Sequence, residues 1–283
     1  MKQLIAEVFG YVTPITVALL VFAQGLSIAP TRVAAYFREQ PGLMLRSLIA
    51  NVVLAPAAAV ALILVLKPAM GVAVGLAILV AGPPAPLMFK TAPGIGKGSP
   101  AYMESLHLTL ALLAFLTMPV ILSVISIPLN FHAEIDLGVM AWILGRTILL
   151  PIGVAIAVRA FFPGFADKAA PIVGKIGNVG LVAVLVVVFA ASYHALLDMD
   201  AWSYLVIALF GAASLTIGHL AGPPEARQKT ISAIECGVRH PALALAIGGA
   251  NFGPQRAGAV LIPCVLTIIA VAVVYMIWRG RNR

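Results

Sequence analysis

The sequence predicts an all-α integral membrane protein of nine transmembrane helices, and three observations carry that prediction. Of the 283 residues only 10% are charged and 62% are hydrophobic. Soluble domains average about a quarter charged residues, so most of this surface does not face water. The apolar runs repeatedly reach the roughly 20 residues that a helix needs to cross about 30 Å of hydrocarbon. They also lack the alternation of barrel strands, and lipid-embedded backbone groups are best satisfied inside helices.

Cutting the chain at Pro, Gly and charge clusters gives apolar segments near 9–28, 42–66, 69–89, 101–126, 137–159, 170–196, 201–221, 229–250 and 257–278. The first follows Lys2 and contains Val21-Phe22-Ala23, which has the form of a signal-peptide cleavage site. It is read as a span because the topology below requires it. The second holds Asn51 in mid-span with Pro56 after it. The third breaks at Gly82-Pro83-Pro84-Ala85-Pro86, where consecutive prolines remove donors and forbid a continuous helix. The fourth opens with Glu104 and His107, placed in a cytoplasmic vestibule, and Lys90 before it reads as an interfacial anchor. The fifth carries Arg146, which reads as a snorkelling residue. The sixth and seventh are uninterrupted, and the eighth carries Glu235, Gly237, Arg239, His240 and Pro241 in mid-span. The ninth runs into the basic tail Arg279-Gly280-Arg281-Asn282-Arg283. With no long polar loop, residues 1–283 read as one transmembrane unit without a separate soluble domain.

An odd number of spans puts the termini on opposite sides. Basic loops face the cytoplasm. The tail, the loops with Arg227 and Lys229, with Arg159, Lys168 and Lys175, with Lys97, and with Arg32 and Arg38 then all lie inside. Glu134 with Asp136, and Asp198 with Asp200, lie outside, which gives N-terminus out and C-terminus in. The net charge of +8 therefore reads as cytoplasmic loop charge rather than as a nucleic-acid surface. Cys236 and Cys264 sit in apolar stretches and read as packing residues, with no metal knuckle. Neither a metal-spaced His/Asp set, nor a nucleophile beside a base, nor a phosphate loop is present in the sequence, so no enzyme, metal or cofactor is expected.

Spans three and eight are interrupted, five spans apart and so of opposite direction. Matched Gly/Pro-interrupted spans in two inverted halves point to a central binding site. Glu235 and Arg239, spaced i, i+4, would share a helix face and neutralise each other. They read either as a structural clamp or as the lining of a polar cavity in which the guanidinium binds a carboxylate. His240 would point about 100° away on a helix, as a packing histidine or a proton relay. Asn51 reads as a site residue or as a tie between helices.

These residues resemble the bile acid:sodium symporter family. The run Ile234-Glu235-Cys236-Gly237-Val238-Arg239-His240-Pro241-Ala242-Leu243-Ala244 is similar to that family's Glu-x-Gly-x-Gln-Asn-x-x-Leu-Ala signature. Leu20-Val21-Phe22-Ala23-Gln24-Gly25-Leu26 resembles its Met-Phe-x-Met-Gly-Leu opening, and the similarity extends from about residue 10 to 278. The resemblance implies a nine-helix member with an inverted repeat, panel and core subdomains, and two broken helices that cross in the core. It also implies sodium at that crossing, with Glu235 as the shared acidic ligand and Asn51 in place of a glutamine. The chain departs where the family has Gln-Asn, because here Arg239-His240 stands. It departs again where the family has Gly-Gly-Thr-x-Ser-Asn, because here Pro83-Pro84-Ala85-Pro86-Leu87-Met88 stands, and Leu and Met offer a hard cation no oxygen.

Glu235 with Arg239 is neutral without an added ion. The expectation is a sodium-independent secondary carrier of a small organic anion (bile-acid-like, pantoate or keto acid) in a cell inner membrane, working by uniport, by exchange or with protons through Glu235 or His240. Glu235, Arg239, His240, Asn51, Pro83, Pro84, Pro86 and Gly237 are its candidate site. The alternatives are a sodium-coupled symporter, an arsenite- or auxin-type efflux carrier, and a non-transporting relative.

Overall fold

The structure is a computed structural model that describes residues 2–85, 100–129 and 136–281. Among the described residues all regular secondary structure is helical. In chain order the helices are α1 (Gln3–Ser27), α2 (Pro30–Glu39), α3 (Pro41–Leu66), α4 (Met70–Ala81), α5 (Pro100–Leu129), α6 (Leu137–Phe161), α7 (Pro163–Asp198), α8 (Ala201–Ala221), α9 (Ala226–Gly237), α10 (Pro241–Phe252) and α11 (Pro254–Arg281). Seven of them, α1, α3, α5, α6, α7, α8 and α11, are long and apolar enough to cross a membrane.

Prolines shape three of these spans in the same way. Each of α1, α3 and α6 widens into a π turn, at Val8–Val12, Ala50–Leu54 and Gly145–Leu149, two residues before Pro14, Pro56 and Pro151. A proline lacks the N–H for the preceding turn and its ring crowds the carbonyl there, so the helix loosens locally rather than breaking. Inside the first of these turns the Val8 carbonyl accepts both the Thr13 N–H and the Thr13 hydroxyl, the latter at 2.8 Å.

Small residues decide which helices meet. On α7, Gly177 lies against Leu20 and Gly180 against Thr16, so α1 packs closely along α7. Gly218 of α8 faces the Ser232 carbonyl and Cys236 of α9 so closely that a methyl group there would collide with both. Close backbone approach through small residues is how helices associate where lipid supplies no hydrophobic drive. The opposite face of α7, with Val179, Val182, Val186 and Phe189, stays exposed as a lipid-facing stripe. Arg146 is likewise exposed.

Three boundaries differ from the sequence reading. Residues 30–39 form the exposed amphipathic α2 rather than a plain connector, since ten residues with Arg32, Arg38 and Glu39 give no hydropathy signal. The third segment stops being helical at Ala81, and the eighth is two helices rather than one interrupted span. Pro86, Leu87, Met88, Lys90 and Lys97 lie outside the described residues, as does Glu134.

Candidate functional site

The two breaks meet. α4 ends at Gly82, whose ψ of 161° turns the chain out of the helix ahead of two prolines. α9 ends at Gly237 with Val238 already extended, and His240 is extended before Pro241, as a residue preceding proline should be. The extended stretches then run antiparallel, with Pro84 opposite Arg239. The Ala85 N–H donates to the Val238 carbonyl and the His240 N–H to the Pro83 carbonyl, both at 2.9 Å. Each break thus satisfies the backbone groups the other leaves open, which is the condition for irregular backbone at membrane depth.

Arg239 is 5% exposed and its guanidinium bridges α4 and α3. One terminal nitrogen donates to the Gly82 carbonyl at 3.1 Å and the other to the Asn51 carbonyl at 3.2 Å. Both acceptors are free for a local reason. Gly82 closes a helix whose last carbonyls lack helical donors. In α3 the Ala55 N–H bonds to Ala50 and Pro56 has no N–H, which leaves the Asn51 carbonyl available. The C-terminal ends of α4 and α9 converge here, and a cation is the charge that such ends favour.

Glu235 is fully buried on α9. Its partner is His107 of α5, whose Nδ1 lies 3.1 Å from both carboxylate oxygens. His107 Nε2 is in turn 2.8 Å from the Gln24 side-chain nitrogen on α1. With that amide nitrogen as donor, Nε2 accepts and Nδ1–H donates to Glu235. A Gln24–His107–Glu235 chain therefore links α1, α5 and α9.

This corrects the expected Glu235–Arg239 pair. The i, i+4 argument assumes one helix, but α9 stops at Gly237 and Arg239 belongs to the extended break. The carboxylate meets His107 and the guanidinium meets carbonyls. His240 is also not on a helix face: its Nδ1 accepts the Leu243 N–H and caps α10, with Pro241 at the first helical position. Asn51 contributes through its backbone carbonyl, while its side-chain nitrogen donates to the Ser47 carbonyl. Pro83 and Pro84 form the crossing itself, and Gly237 packs against Leu215 of α8. His107 was legible in the sequence only as a vestibule residue, and nothing local shows that it meets a glutamate 128 positions away.

Two cavities open beside these residues, one at His107 and one at the Arg239 segment. One of about 150 Å³ is lined by Gln24, Ser27, Met103, Glu104, His107 and Asn178 and so reaches the buried chain from outside. A second of about 60 Å³ is almost wholly apolar, between Leu79, Leu181, Leu185, Val265, Ile268 and the Arg239 segment. Among the described residues no group of three or more His, Cys, Asp or Glu could hold a metal ion.

A helical multi-span membrane protein with paired breaks and buried ionisable groups at the break belongs to the class of membrane transporters. A profile of the Sodium Bile acid symporter family matches residues 14–199, well over half of the chain, and the chain belongs to that family. The match runs from α1 through α7. It includes Asn51 and the first break and ends before Glu235. No curated protein matches the chain.

Proposed function

We propose that this protein is a sodium-independent secondary carrier of small organic monoanions with an apolar body, and not an enzyme. The observation that carries the proposal is Arg239, whose fixed guanidinium caps carbonyls from α3 and α4 where two helix C-terminal ends converge. A hard cation needs several oxygen ligands. Here the Gly82 and Asn51 carbonyls are turned to a guanidinium and the Glu235 carboxylate to His107. With His107 neutral, Glu235 and Arg239 sum to zero charge without sodium. A polar cavity at His107 and an apolar cavity at the Arg239 segment suit a carboxylate with a hydrophobic body, of the bile-acid-like, pantoate or keto-acid kind.

The reading takes the chain as nine spans with N-terminus out and C-terminus in, counting α4 and the α9–α10 pair as the broken ones, in a cell inner membrane. Transport is uniport, exchange or proton-linked. Of the two protonatable groups suggested by the sequence, Glu235 is the better placed, because His240 serves as a helix cap. Uptake of a labelled organic-acid panel into proteoliposomes tests this, with sodium or choline outside and with or without a pH gradient. Equal uptake in sodium and choline is the expected result, and sodium-stimulated uptake would overturn it.

A further inference from the structure

The cavity on the α1 side poses a problem for an anion carrier. Glu104 is the one acidic side chain that lines it among the described residues, and a carboxylate there should repel an organic anion. The structure also holds its neutraliser. Arg32, in the first turn of α2, reaches Glu104 at 3.4 Å, with side-chain exposures of 56% and 21%. That separation exceeds the roughly 2.7–2.9 Å of a strong charge-assisted bond, and exposed pairs of this kind hold weakly. The other arginine at this end is differently placed. Arg159 is held by Asp167 at 2.6 Å and by the Leu26 carbonyl at 2.8 Å, and only 17% of its side chain is exposed. Of these two arginines, Arg32 is thus the one free to change partners. Its place follows from the chain, because Ser27 and Ile28 line the cavity and α2 starts at Pro30.

We infer that Arg32 is the capture residue of this cavity: its guanidinium leaves Glu104 for the carboxylate of an incoming organic anion, and Glu104 is its resident counter-ion. The anion exchanges with a carboxylate already in place, so the mouth attracts anions without trapping them. Glu104 lowers affinity and speeds release, while Arg32 sets the charge preference. The assignment rests on the anion-carrier reading for its physiological meaning, although the electrostatics can be measured without transport.

A reporter thiol at Ser27→Cys, in the cavity wall, is treated with methanethiosulfonates bearing either a sulfonate or a trimethylammonium group; the native Cys236 and Cys264 are buried. In Arg32→Gln the sulfonate reagent should react more slowly and the cationic one faster, each by about threefold, as a unit charge about 10 Å away gives at an effective dielectric near 50. Glu104→Gln should do the opposite. Uptake kinetics then separate capture from translocation. Arg32→Gln should raise KM and Glu104→Gln lower it, with kcat within about twofold. Reagent rates unchanged in Arg32→Gln would overturn the assignment, as would a fall in kcat with KM constant. Charge-selective labelling in a protein that transports no organic acid would keep Arg32 as an anion-capture residue and refute the carrier reading alone.

Discussion

Replacing Arg239 by glutamine removes the cation at the crossing while keeping a shorter, neutral donor. The two lost bonds, at 3.1 and 3.2 Å, are charge-assisted and buried. Bonds to charged groups are each worth about 1.5–3 kcal/mol, and a glutamine amide recovers one neutral bond of about 1 kcal/mol, for a net loss of about 2–5 kcal/mol. At about 2–4 °C per kcal/mol for chains of this order of length, a mid-range loss of about 3 kcal/mol lowers the melting temperature by roughly 6–12 °C. The assay is thermal unfolding of the purified protein in detergent beside uptake in proteoliposomes, with Arg239→Lys as a third sample. Lysine keeps the charge but cannot span two carbonyls with a planar fork, so it should fall between. Organic-acid uptake should drop in Arg239→Gln, and sodium, but not choline, should restore part of the lost melting temperature by returning a cation to those carbonyls. A variant that melts and transports like the parent would show that the guanidinium is neither brace nor charge, and the reasoning would fail.

Three further expectations use other parts of the structure. His107→Ala leaves the fully buried Glu235 without its partner, and breaking a buried pair costs about 3–5 kcal/mol, so its melting temperature should fall at least as far as that of Arg239→Gln. Lys67 ends α3 with a positive φ of 47°, a conformation that costs a side chain about 1 kcal/mol, so Lys67→Gly should raise the melting temperature by a few degrees. Asp200 caps α8 through the Ser203 N–H and hydroxyl, and those bonds hold its pKa below the usual 3.8. A depressed carboxyl contributes stability above its unfolded pKa and loses it as pH falls through the folded one. The gap in melting temperature between the parent and Asp200→Ala should therefore persist at pH 5 and close below pH 3.8, and a gap that widens in acid would contradict the cap.

The architecture was legible where one physical cause acts along a whole segment. Lipid demands long apolar helices, and the seven helices able to span a membrane coincide with uninterrupted apolar runs. Consecutive prolines at 83 and 84 cannot sit in a helix whatever surrounds them, so the first break was equally plain. The pairing at the site was not, because it depends on distant segments. The Glu235–Arg239 spacing is informative only while the helix continues, and here the helix ends at Gly237 and a new one starts at Pro241. His107 looked peripheral because it lies only about two turns into α5, whereas the approach of α9 to α5 buries it to 5% exposure. Asn51 stands out in the sequence for its amide, yet it is its carbonyl that meets Arg239, and that depends on Pro56 five residues on.

The contrast between a fixed and a travelling cation has a thermodynamic consequence under the proposed reading. Converging helix ends and a buried carboxylate create a demand for positive charge at the crossing. An ion that meets this demand can be carried, so its gradient can drive the substrate. A guanidinium held by the Gly82 and Asn51 carbonyls meets the same demand and stays behind, so it contributes affinity and no driving force. A ligand with equal affinity for both facing states shifts no equilibrium, and a permanent cation is the limiting case of such a ligand. Under this reading a sodium gradient cannot make the protein accumulate its anion. Accumulation above equilibrium in the absence of a pH gradient, of a membrane potential and of a counter-anion inside would therefore mean that another ion is carried at the crossing.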